Sequence, residues 1–74
     1  MIKRLIARRN RRLYENGYNV AIGSMLRGET NAEYWTTLTD GAGLAGSYTE
    51  FDKGVDDAVE TFEVLCKLQV QQAP

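Results

Sequence analysis

Two opposed sets of ionisable side chains carry whatever chemistry this sequence has. Lys3, Arg4, Arg8, Arg9, Arg11 and Arg12 crowd the start of the chain, and Asp52, Asp56, Asp57, Glu60 and Glu63 crowd a short span near its end. Guanidinium groups grip phosphates and carboxylates through planar, paired hydrogen bonds, so the first set suits a polyanion or an acidic surface. Clustered carboxylates suit a divalent cation, proton transfer or a basic partner. Imidazole and thiol chemistry has little to work with. The chain holds no histidine and one cysteine, Cys66, which leaves no Cys/His zinc site, no triad with an imidazole base and no internal disulfide. The acids lack the spacing of a calcium-binding loop, and neighbouring acids diverge around a helix, so no metal is expected. No cofactor pattern is present either. Asp40-Gly41-Ala42-Gly43-Leu44-Ala45-Gly46 is rich in glycine, but it lacks the Gly-Lys-Ser/Thr of a phosphate loop and the preceding strand of a dinucleotide site. A protein that is not an enzyme is expected.

The elements that must position these groups are helices. Pro74 is the only proline, and no segment alternates polar and apolar residues over a strand's length. The first helix is expected over about residues 2–27, with Arg27 suited to its negative end and Gly28 to the left-handed turn beyond. Thr30-Asn31-Ala32-Glu33 fits a capping box, with Thr30 as cap, opening a short connecting helix over about 31–39. That helix carries Tyr34, Trp35 and Leu38, with Trp35 expected in the core. Asp40–Gly46 is expected to be a flexible connector. A third helix is expected over about 49–68, opened either by Ser47 with Glu50 or by Thr49 with Asp52. Phe51, Val55, Ala58, Val59, Phe62, Leu65 and Cys66 recur on one face of it, with the five acids on another. Cys66 in that stripe reads as a reduced, buried side chain. The tail from Gln69 to Pro74 is expected to fray.

The first and third helices repeat a pattern. Tyr14-x-x-Gly17-Tyr18-x-x-Ala21 and Phe51-x-x-Gly54-Val55-x-x-Ala58 both read aromatic-x-x-Gly-apolar-x-x-Ala. A glycine inside a helix costs about 1 kcal/mol relative to alanine, so two of them call for a compensating contact. Small residues four apart let two helix backbones approach closely. The fold predicted is therefore all-α: residues 1–74 form one helical domain, an antiparallel helical hairpin crossing at Gly17/Ala21 and Gly54/Ala58. With only 74 residues and 8.3 kDa to build a core, self-association into a homodimer is part of the expectation.

Tyr14-x-x-Gly17-Tyr18-x-x-Ala21-x-x-x-Met25-Leu26-Arg27-Gly28-Glu29, followed by Phe51-Asp52-x-Gly54-x-x-x-Ala58, resembles short uncharacterised proteins encoded by bacteriophages and prophages. The resemblance covers residues 14–62 and implies an accessory protein that modulates a host process. It supplies no catalytic residues. Ala7-Arg8-Arg9-Asn10-Arg11-Arg12, which lies outside it, looks like the arginine-rich RNA-binding motif of phage antitermination proteins.

The net charge of −1 hides a strong asymmetry. Residues 1–27 hold seven basic residues and one acid, a net of +6, whereas residues 28–74 hold two basic residues and nine acids, a net of −7. Cations on the first turns of a helix oppose its dipole, so stability alone does not select them. Three explanations stand: a polyanion partner, neutralisation by acids of the third helix in a neighbouring subunit, or a solvated end that aids solubility. The acidic face rules out a helix-turn-helix reading, since the recognition helix would be repelled by phosphates. The expected function is thus binding of a host protein, with nucleic-acid binding through the basic cluster as the alternative. The start of the chain has no apolar stretch of secretory length, and no segment approaches the roughly 20 apolar residues of a membrane span. A cytoplasmic location in a bacterial host and no membrane partner are expected.

Overall fold

A computed structural model describes residues 2–72, with side chains described for residues 7–69. Three helices follow in order: α1 (Ile2–Leu26), α2 (Ala32–Leu44) and α3 (Glu50–Gln72). No strand occurs among the described residues. The fold is the all-α arrangement expected, two long helices packed along one another with a shorter helix between them in sequence.

The contact between α1 and α3 runs through the two repeated glycines. A Cβ on Gly17 would overlap the Phe51 carbonyl oxygen and lie 2.9 Å from its carbonyl carbon. A Cβ on Gly54 would overlap the Tyr14 carbonyl oxygen and lie 2.9 Å from the Tyr18 backbone nitrogen. Each glycine thus meets the carbonyl of the aromatic residue that opens the other copy of the pattern. One turn further on, Ala21 and Ala58 are both 0% exposed. The loss of helix propensity at the glycines is offset by backbone contact that no larger residue permits.

Around this seam the core is small. Ala21, Met25, Trp35, Val55, Ala58 and Val59 are buried, with Tyr18, Ile22, Ala32, Phe51 and Phe62 packed against them. α2 supplies Trp35 and leans mainly on α3. The indole is held by a polar relay as well as by packing. Trp35 Nε1 donates to Thr30 Oγ1 at 2.7 Å, Thr30 and Ser24 share a hydroxyl bond at 2.7 Å, and Ser24 Oγ donates to the Ala21 carbonyl at 3.1 Å. Since Ser24 gives its proton to Ala21, the Thr30 hydroxyl is the donor to Ser24. Every buried polar group in the chain of contacts is satisfied.

That relay changes the start of α2. Thr30 is not the cap expected from the sequence, because its hydroxyl is spent on Trp35 and Ser24. Asn31 caps instead, with Oδ1 accepting from the Tyr34 N–H at 2.8 Å. The end of α2 also differs from expectation. The helix continues through Gly41 and Gly43 to Leu44, so most of the expected glycine-rich connector is helical. Nothing in Asp40–Leu44 blocks the hydrogen-bond ladder, since glycine weakens a helix without breaking it. The stop is Gly46, whose φ of 73° lets its N–H reach the Gly43 carbonyl and the Ser47 N–H reach the Ala42 carbonyl. Gly28, with φ 75°, ends α1 in the same way, as the sequence predicts. α3 opens with the Thr49 and Asp52 pair, Thr49 donating through both its N–H and its hydroxyl to Asp52 Oδ2. Its far end lies at Gln72, beyond the boundary expected near residue 68.

Two predictions follow from this packing. Gly17→Ala and Gly54→Ala should each lower stability by about 1–3 kcal/mol through overpacking, although alanine is the better helix former. Gly41→Ala, where nothing lies within 4 Å, should instead raise it by about 0.4–1 kcal/mol. Thermal melts followed by circular dichroism read the opposite signs directly. Thr30→Val should cost about 1–3 kcal/mol by orphaning the indole N–H and removing the donor to the Ser24 oxygen, and a changed Trp35 emission spectrum would accompany the loss.

Candidate functional site

The basic cluster stands on α1 ahead of the glycine seam. Ala7, Arg8, Arg9, Asn10, Arg11 and Arg12 are all exposed. Lys3 and Arg4 belong to the same helix, but their side chains lie outside the described residues. Among the described residues one ion pair touches this stretch, Arg11 Nε to Glu15 Oε1 at 3.3 Å along one helix face. Arg9 borders a hollow that also reaches Leu13, Tyr48 and Glu50, with no ion pair across it. The only other ion pair among the described residues is Arg27 with Glu29, where Nε lies 3.0 Å from Oε1. This exposed pair raises the Arg27 pKa and lowers that of Glu29, first through the shared hydrogen bonds and then through charge.

The acidic set is divided by the fold. Asp52 is half-buried and bound by Thr49. Asp56 accepts from the Tyr48 hydroxyl at 2.6 Å, and Asp57 accepts from the Tyr14 hydroxyl across the α1–α3 seam. Glu60 and Glu63 are exposed and make no ion pair among the described residues. Three of the five carboxylates therefore hold the structure together, and two face solvent. Among the described residues no group of acids or thiol is placed to hold a metal ion.

The hydrogen bond to Asp57 is the first cause that raises the Tyr14 pKa, followed by desolvation and the Asp57 charge. The same causes, led by the bond to Asp56, push Tyr48 up to about 12.

Apolar side chains complete the surface. On the outer side of α2, Tyr34 and Leu38 lie one turn apart and are 50% and 49% exposed. Tyr34 stacks edge-on against Trp35, with ring centroids 5.1 Å apart, which ties this surface to the core. The second apolar region is on α3. Val64, Leu65 and Leu68 are exposed, and a groove runs from Tyr14 and Tyr18 past Asp57 and Glu60 to Val64 and Leu65. Cys66 is exposed as well, which corrects the buried position expected for it. The helical stripe is real, but the core that covers it ends near Phe62, so Leu65 and Cys66 lie past the last neighbour. Sequence periodicity marks which residues share a face and not how far the partner extends, so these exposed groups carry no separate signal.

No family model matches the chain, and no curated protein or solved structure is significantly similar to it.

Tyr48 and Tyr14 provide a test of this electrostatic layout. Their raised pKa values favour the neutral phenol in the folded state. Their contribution to stability is therefore complete below the ordinary tyrosine pKa of about 10 and is lost as pH climbs through the folded values. Ultraviolet titration should show late-ionising phenols, and Tyr14→Phe and Tyr48→Phe should each remove one of them.

Proposed function

We propose that this is a small phage-type accessory protein that works by binding a host protein and catalyses nothing itself. The observation that carries the reading is the outer surface of α2, where Tyr34 and Leu38 present adjoining apolar area to solvent. Tyrosine supplies a large contact area with few rotors to freeze, which suits it to anchoring a protein interface. This surface is preorganised, because Tyr34 packs on Trp35 and Trp35 is fixed by Thr30. A hollow lined by Asn31, Glu33, Tyr34, Thr37 and Leu38 gives it shape and polar groups at its rim. The resemblance of the Tyr14–Phe62 motifs to phage and prophage proteins supports a host protein as the partner. No described helix is long and apolar enough to cross a membrane, so the partner is sought away from one.

Affinity capture from a bacterial lysate, with and without nuclease, tests the proposal. A single protein should co-purify under both conditions and disappear with Tyr34→Ala/Leu38→Ser, a change that leaves the melting temperature near that of the parent chain. Capture that vanishes with nuclease overturns this reading in favour of nucleic acid bound through Arg8, Arg9, Arg11 and Arg12. Capture unaffected by the double substitution removes the α2 surface from it.

A further inference from the structure

Both long helices project uncovered segments from the shared core, and the two segments differ in character. Residues 7–12 of α1 are exposed throughout, as are residues 63–69 of α3. The α1 segment carries four arginines, of which Arg11 alone has an acidic partner among the described residues. The α3 segment offers the exposed row Val64, Leu65 and Leu68, flanked by Glu60 and Glu63, with Lys67 as its one basic residue. The groove alongside it takes in Asp57 and Glu60. Each chain thus holds one basic segment with a single ion pair among the described residues and one acidic, apolar segment of similar length.

We propose that the occupant of the α3 segment is a second copy of this chain, in a two-fold dimer. The arginine-bearing turns of α1 in one protomer lie along the Glu60–Leu68 stretch of its partner. A two-fold axis makes any contact between unlike patches occur twice, so both basic and both acidic segments are used. Arginine is suited to the pairing, because its aliphatic stem covers apolar surface while its guanidinium reaches carboxylates at the rim. The α2 surface takes no part, so this dimer and the host-protein reading stand or fall separately.

Charge exchange tests the dimer. Nuclease-treated chain is examined by sedimentation equilibrium at low and high salt, alongside Arg8→Glu/Arg9→Glu/Arg12→Glu and Glu60→Lys/Glu63→Lys. The parent chain should be a dimer that dissociates as salt rises. Each variant alone should be a monomer with a near-parental melting curve, because every altered residue is exposed. Mixed in equal amounts, the two variants should recover a dimer containing one of each. A parent chain that is monomeric at every concentration overturns the proposal, including one that is monomeric and retains RNA or DNA. So does a dimer that both charge reversals leave intact, or a mixture that stays monomeric.

Discussion

Backbone contact between α1 and α3 at Gly17 and Gly54 is the constraint from which the rest of the molecule follows. With each glycine against the other helix's carbonyl, the axes approach too closely for anything larger than Ala21 and Ala58 one turn on. Large side chains are excluded from the seam, so they gather beside it: Met25 from α1, Val55 and Val59 from α3, and Trp35 from α2. Among the described residues Val55 is the largest side chain that is fully buried. A domain with so little apolar volume relies on dispersion at close range, where a gap of less than an ångström forfeits much of the attraction. This is why the seam tolerates no added methyl although the solvent-facing glycines of α2 do.

The same constraint explains why α2 is needed. The valines of α3 that flank the seam are apolar and would face water without a cover. α2 brings Trp35 to them and anchors it through Thr30 and Ser24 to the end of α1. That relay ties α2 to α1, and the indole it holds packs in the same core cluster as Val55 and Val59 of α3. Its members come from the last turn of α1, the connecting turn and the first turn of α2. The two glycine-terminated turns at Gly28 and Gly46 then set where α2 begins and ends, and so which of its faces meets α3.

Much of this was legible in the sequence because it depends on local chemistry. The glycine repeat, the stop at Gly28 and the buried Trp35 each follow from residue type and spacing. The parts that were not legible depend on what lies across the fold. Thr30 and Asn31 are both good caps, and only the position of the Trp35 N–H decides that Thr30 is taken elsewhere. Gly41 and Gly43 read as a break by composition, yet a helix survives two glycines when its next turn closes on Gly46. Cys66 shares a face with Val55 and Val59, but the partner helices no longer reach it. The acidic cluster looked like one patch, whereas Tyr14 and Tyr48 divide it by claiming Asp57 and Asp56.

That division bears on where function resides. Asp52 lies at the positive start of α3, where a carboxylate is favoured by the dipole and by the Thr49 N–H. Asp56 and Asp57 are acceptors for tyrosine hydroxyls on neighbouring segments. Folding alone accounts for these three. The arginines at positions 8, 9 and 12 have no such account: they are exposed, and no acid lies in bonding range of them among the described residues. Folding alone does not account for these arginines. The basic start of α1 and the exposed apolar surfaces are therefore the parts of this minimal helical domain that its own packing leaves unexplained.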